Sequence, residues 1–221
     1  MTVLTTDPPL STLMREGSQR EHQEAEDSSF MAELLAGRIN HRGYADYLTR
    51  LHRVYLALED TGHAMAADPI ARAVLDPALE RRAAIEADLE LWAPYASPVT
   101  SDAPTPATAA YVQRIEQASS WPGLFVAHHY TRYLGDLSGG QAIGRILART
   151  FDLPDGAGVA FYDFPDIPKP KPYKDGYRAR LDALPLTPAE KRRILDEVKV
   201  VFGLNSALFA ELGENLEAYR R

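Results

Sequence analysis

The sequence predicts an all-α, single-domain protein, and three observations carry that prediction. No stretch of useful length alternates apolar and polar residues as a half-buried strand does. Apolar residues recur instead at three- and four-residue steps, most clearly Tyr44, Tyr47, Leu48, Leu51, Val54, Tyr55, Leu58 and Met65. Helix punctuation stands where such runs begin and end: Gly37 closes one, Pro122 opens another, and Thr187-Pro188-Ala189-Glu190 opens the last as a capping box with Pro at its first position. The 221 residues carry no internal repeat and suffice for one sizeable core.

The elements follow in order. Residues 1–9 read as a flexible tail ending at Pro8-Pro9, and residues 10–221 as the domain. A first helix is expected from Leu10 to Ala25 and a short second one from Phe30 to Ala36. The third is the long periodic run from Tyr44 to Met65. Asp76-Pro77 opens a helix carrying Leu79, Ala83, Ile85, Leu89 and Trp92. Pro94, Pro98, Pro104 and Pro106 then make a loop of 93–106. Thr105 to Ala118 reads as helix, and Pro122 begins a glycine-bearing helix that runs to Phe151. Residues 152–172, rich in Pro, Asp and Gly, read as irregular, and helices over 173–184 and 187–218 complete the chain.

Composition narrows the function. The charge of 24 − 31 = −7 argues against nucleic acid as a partner. With no cysteine, disulfides, thiolate catalysis and iron–sulfur clusters are excluded, and any metal must be held by His or carboxylate. No apolar run approaches the roughly 18 residues that cross a bilayer, and the N-terminus does not read as a secretory signal. A cytoplasmic protein without its own membrane anchor is the expectation.

The segment from Tyr130 to Gly144 is the most informative. It holds Gly135, Gly139, Gly140 and Gly144 in an otherwise helical pattern, although each interior glycine costs a helix about 1 kcal/mol relative to Ala. Close packing against another helix is one explanation; a kinked helix laying bare backbone against a flat ligand is another. Arg132, Asp136 and Arg145 make the membrane Gly-x-x-x-Gly reading a poor one. Asp136 lies one helical turn from Arg132, with Tyr130 and Tyr133 beside them. A polar group beside glycine points to ordered water near a reaction centre.

On the first helix, His22 shares a stripe with Met14, Ser18 and Ala25, and Glu26 follows one turn later. A carboxylate that orients an imidazole is a common support for a metal ligand; a half-buried His beside a solvated Glu is the plainer alternative. His41, His52, His63, His128 and His129 lack that combination, and the adjacent His128 and His129 face different sides of a helix. No Glu-x-x-His or His-Glu-x-x-His pair occurs, so zinc and di-iron sites find no support.

Four blocks in order resemble the heme oxygenase family over nearly the whole chain: His22-Gln-Glu-Ala-Glu26 with Phe30-Met31, Tyr133-Leu-Gly-Asp-Leu-Ser-Gly-Gly-Gln141, Tyr173-Lys-Asp-Gly-Tyr-Arg178 and Phe202-Gly-Leu-Asn-Ser-Ala-Leu-Phe209. The resemblance implies a multi-helix bundle with heme between the first helix and a kinked, glycine-rich distal helix. In it His22 matches the proximal iron ligand and Glu26 the carboxylate that orients it. Gly135 and Gly139 match glycines whose backbone crosses close above the iron, and Gly140 continues the kink. Asp136 matches the distal carboxylate that anchors proton-delivering water, with Tyr55, Arg132 and Asn205 as other members of that network. Arg15, Tyr130, Lys174 and Arg178 match the polar edge that holds the heme propionates, a role that suits basic side chains in any case. Met31, Leu34, Phe202 and Phe209 match apolar wall positions, for which core packing is an equally good account.

The resemblance further implies an enzyme that takes heme b as cofactor and substrate and, with O2 and electrons from an external donor, opens it to biliverdin, CO and Fe2+. The donor would be a ferredoxin or a flavin-containing reductase, and the expected state is a monomer. Gln19 departs from the pattern of some members, which place a second basic residue three positions before the proximal His. Heme seating, and with it the expected α-meso regiospecificity, depends on that edge. A non-catalytic heme carrier or sensor on the same fold would need His22 but not Asp136 and its partners. A thiaminase-like hydrolase of this fold would want the cysteine nucleophile that this chain lacks.

Overall fold

The computed structural model describes residues 7–221. Thirteen α-helices occur among them, joined by short 3₁₀ turns, and the one β-type contact is an isolated bridge between Ile39 and Arg220. The helices are α1 Leu10–Gly17, α2 Gln19–Glu26, α3 Ser29–Leu35, α4 His41–Ala64, α5 Pro69–Arg72, α6 Arg82–Trp92, α7 Pro98–Asp102, α8 Pro106–Gln117, α9 Pro122–Gly135, α10 Gln141–Phe151, α11 Pro170–Asp182, α12 Pro188–Gly213 and α13 Leu216–Tyr219. The expected tail over 1–9 lies, for its first six residues, outside the described residues.

Two helices organise the rest. α4 packs against α6, α8 and α9; α12 packs against α9, α8, α3, α2 and α1. The periodic stripe of α4 is the reason: Tyr44, Leu48, Leu51, Val54, Tyr55 and Leu58 are all within 1% of complete burial. α12 begins at the expected capping box, in which Thr187 Oγ1 accepts from the Glu190 amide at 3.3 Å and Glu190 Oε2 accepts from the Thr187 amide at 2.8 Å.

Several boundaries differ from expectation, three of them where contacts from distant parts of the chain intervene. The first helix is two, broken at Ser18, whose backbone leaves the helical region (φ −118°, ψ 14°) and whose hydroxyl bonds to Met14 O at 2.7 Å. Gly17 just before it is overlain by α12, since a Cβ there would lie 2.7 Å from Leu195. Asp76-Pro77 opens only a 3₁₀ turn, Pro77–Leu79, and α6 starts at Arg82. Glu59 reaches over from α4 to accept the Arg81 and Arg82 amides, at 2.6 and 3.0 Å, and so sets that start. The proline-rich loop contains the short α7, pinned where the Ser97 amide donates to buried Asp46 at 2.6 Å. α5 was not legible in the sequence, α11 starts three residues earlier than expected, and the last helix ends at Gly213, with α13 beyond it.

The glycine-bearing helix is interrupted by a π turn over Asp136–Gly140, between α9 and α10. Such one-turn π segments recur at functional sites.

Candidate functional site

The structure divides the four glycines into two pairs. A Cβ built on Gly135 or Gly139 meets no atom within 4 Å. One built on Gly140 would lie 3.2 Å from the Tyr162 ring, and one on Gly144 would lie 2.9 Å from Tyr162 Cβ. Gly140 and Gly144 are therefore bare because Tyr162 packs on them, which is the close-packing explanation. Gly135 and Gly139 have no neighbour to accommodate and present open backbone, which is the other. Gly140 is also the last residue of the π turn.

Behind that backbone lies a buried polar network. Asp136 opens the π turn, and Tyr55 on α4 donates its hydroxyl to the Asp136 carboxylate. Arg132, one turn earlier on α9, donates Nε to the Tyr55 hydroxyl at 3.1 Å and Nη1 to Asn205 Oδ1 at 2.9 Å, and its Nη2 lies 3.6 Å from Asp136 Oδ1. All four side chains are buried. Burial pushes the Asp136 carboxyl above the ordinary carboxylate range; Arg132 and the Tyr55 hydrogen bond pull it back in part. A carboxyl held in that way can hold a proton and pass it on.

The network extends to residues for which the sequence suggested no such role. Tyr133 donates to Glu59 Oε1 at 3.2 Å, and burial raises the Glu59 carboxyl as well. Tyr47 and Tyr111 lie against Arg132; burial pushes each phenol up to about 12, with the Arg132 charge opposing it. The signal for the α4 members was available, since Tyr47, Tyr55 and Glu59 fall on one four-residue register of a helix.

His22 stands on α2 with its side chain 51% exposed. Its ring meets Phe202 edge-on at 5.5 Å, and its Nδ1 lies 3.6 Å from Glu26 Oε2, just beyond hydrogen-bond distance. Nδ1 is thus turned toward the carboxylate expected to orient it, and Nε2 is left to serve as ligand. α12 joins the two halves of the site: Phe202 touches His22, and Asn205, one turn on, touches Arg132. Met31 and Leu34 on α3 and Phe209 on α12 are buried in the core that backs these elements.

The cationic residues collect at one edge. Lys174 on α11 donates to Ser138 of the π turn at 2.9 Å and forms no ion pair among the described residues. Burial, then the nearby Arg178 charge, lowers its pKa. Arg178 pairs with Asp175 at 3.1 Å and Arg15 with Glu16 at 3.2 Å. Both guanidiniums lie close enough to half-buried Tyr130 to oppose the rise that burial gives its phenol. Arg15, Tyr130, Lys174 and Arg178 thus share one neighbourhood.

These residues fit heme. Among the described residues no three His, Asp or Glu side chains cluster as a site for a bare metal ion; one imidazole suits an iron whose other ligands come from a macrocycle. Gly135 and Gly139 would let a flat ring approach the backbone, and the cationic edge suits carboxylates. Fold and site together define an all-helical heme-binding protein with a buried polar network beside bare glycine backbone.

Comparison with known proteins agrees. The heme oxygenase family model matches residues 8–211. The chain belongs to the heme oxygenase family and is an enzyme of that family. It is 39% identical over 211 residues to heme oxygenase 1 of Homo sapiens, covering 94% of this chain and 73% of the human protein. It is 38% identical over 209 residues to heme oxygenase 1 of Synechocystis, covering 94% of this chain and 86% of that protein. Among solved structures, heme oxygenase of Leptospira interrogans superposes with a TM-score of 0.87 at 38% identity, covering 92% of this chain and all of that one. Synechocystis heme oxygenase-1 in complex with heme gives 0.87 at 36% identity, over 96% of this chain and 95% of that one.

Proposed function

We propose that the protein opens heme b to biliverdin, predominantly the α isomer, with release of CO and Fe2+, using O2 and electrons from an external ferredoxin or flavin-containing reductase. Heme, when bound, supplies the iron that activates oxygen. His22 would hold that iron through Nε2, with Glu26 biasing the orientation of the ring. Gly135 and Gly139 would let the ring lie close to the π turn without a side chain intervening. Arg15, Tyr130, Lys174 and Arg178 would receive the propionates, and Gln19, exposed on α2, adds no positive charge to that edge.

The observation that carries the reading is the buried Asp136–Tyr55–Arg132–Asn205 network, whose Asp136 adjoins the open backbone of Gly135. A carrier needs a ligand and a pocket; it has no use for a carboxyl that burial has primed to hold a proton. Asp136 would keep water beside the open backbone and supply protons there, while Arg132 and Tyr55 fix the carboxylate in place. A single chain in the cytoplasm suffices for this chemistry; among the described residues no helix is long and apolar enough to cross a membrane. Product analysis of Asp136→Ala with hemin and ascorbate tests the reading: hemin should bind without biliverdin forming, and a normal biliverdin yield would overturn it.

A further inference from the structure

Two consecutive side chains of the Ala160–Tyr162 turn brace the two sides of one hydrogen bond. Phe161 sets its ring edge-on against Tyr55, with centroids 5.3 Å apart and planes at 74°. Tyr162 sets its ring on Gly140 and Gly144, where an added Cβ would lie 3.2 and 2.9 Å from it. Tyr55 is the donor to Asp136, and Gly140 ends the π turn that Asp136 begins. Both aromatic side chains are buried, and their turn packs against α6, α10 and the π turn. The turn is itself held by α6 and the residue before it. Trp92 Nε1 donates to the Gly158 carbonyl at 2.7 Å. Asp88, one turn earlier, accepts the Ala160 and Phe161 amides, both at 2.8 Å. Arg81 donates Nη1 to the Asp163 carbonyl and lies 3.9 Å over the Phe164 ring. Residues 88 and 92 are four apart and so share a helix face. Irregular backbone inside a protein must find partners for its amides and carbonyls; these three side chains supply them. Gly158 suits only glycine, because its φ is +76° and a Cβ there would lie 2.7 Å from Trp92 Nε1.

We propose that this strap, residues 158–164, is a splint for the candidate site, with Phe161 and Tyr162 as positioning residues and Asp88 as the side chain that fixes them. It holds Tyr55 of α4 and the π turn at one separation. It thereby sets the Tyr55–Asp136 contact and the position of the Gly135 and Gly139 backbone. With heme against that backbone, the strap also helps determine which ring carbon is opened. That last part rests on the proposed function; the splint itself does not.

The test uses the full chain with Tyr162→Leu, which loses the flat ring, and Tyr162→Phe, which keeps it. Asp88→Asn is the second disruptive variant, since it turns one acceptor oxygen into a donor facing an amide. Ile115→Val, a core change on α8, controls for a general loss of stability. Amide hydrogen exchange of the apoproteins over 135–144 should quicken several-fold in Tyr162→Leu and Asp88→Asn. It should stay at the wild-type rate in Tyr162→Phe and Ile115→Val. With hemin and ascorbate, the two disruptive variants should bind hemin as tightly as the wild type, turn it over several-fold more slowly and yield mixed biliverdin isomers. Tyr162→Phe should restore the wild-type rate and product. Wild-type exchange over 135–144 in the disruptive variants, or wild-type rate and isomer from them, would overturn the proposal. Should Tyr162→Leu not fold, Asp88→Asn decides by the same readings. Absence of biliverdin from the wild-type protein would instead remove the proposed function, and hydrogen exchange would still decide the splint.

Discussion

Gly139 and Gly140 are neighbours in sequence with opposite surroundings: a Cβ on Gly139 meets nothing within 4 Å, whereas one on Gly140 would press on the Tyr162 ring at 3.2 Å. Adjacent residues of a helical turn point to different faces, which sets the two glycines against different surroundings. The same segment thereby grips the core with one glycine and offers bare backbone with the other.

Gly139→Ala should separate folding from function. Nothing in the protein obstructs the methyl group, and helical backbone gains about 0.5–1 kcal/mol when Gly becomes Ala. Thermal unfolding of the apoprotein should therefore rise slightly, while heme turnover falls because the methyl occupies the space above the ring. Gly144→Ala should do the reverse on stability, losing about 1–3 kcal/mol by overpacking against Tyr162. Calorimetry of the two apoproteins checks the pair.

His22→Ala should abolish turnover and regain part of it when imidazole is added, since the α2 backbone and Phe202 remain to shape the vacated position. The wild-type rate in the unaided variant would mean that another side chain ligates the iron.

The cationic edge should show in affinity and its salt dependence. Lys174→Ala with Arg178→Ala should weaken hemin binding by about tenfold, close to 1.4 kcal/mol. The loss should shrink as ionic strength rises, because exposed charges are screened. Fluorescence-quenching titrations at low and high salt measure both.

Acid lability should trace to His129. Burial, then the Arg180 charge, pushes its pKa down from the ordinary 6.5 to about 3, with Nδ1 at 2.9 Å from the Tyr177 hydroxyl. The unfolded chain takes up this proton near pH 6.5 and the folded chain only near 3. Its contribution to stability is thus complete above pH 6.5 and is lost as pH falls, at up to about 1.4 kcal/mol per unit. Denaturant unfolding of the apoprotein at pH 7 and pH 5 should show a smaller loss in His129→Gln than in the wild type. The raised carboxyls of Asp136, Glu59 and Asp88 work in the opposite direction but are common to both proteins.

Much of this was legible in the sequence because it is local. The α4 stripe, the Thr187–Glu190 capping box and the glycine-rich interruption are patterns within a few residues. What was not legible depends on partners far along the chain. The break at Ser18 goes with Leu195 on Gly17, the late start of α6 with Glu59, and the division of the glycines with Tyr162, which arrives from a segment that reads as irregular. The site divided in the same way. His22–Glu26 and Arg132–Asp136 are pairs one turn apart, whereas Tyr111 joins the network only through contacts between helices.

One measurement reaches the central claim directly: hemin is added to the purified protein, ascorbate is supplied in air, and the visible spectrum is followed. A sharp Soret band that decays into the broad red absorption of biliverdin is the predicted result, with the extracted pigment giving the isomer. A Soret band that persists unchanged, with enzymatic electron donors as well as with ascorbate, or no Soret shift on adding hemin, would contradict it.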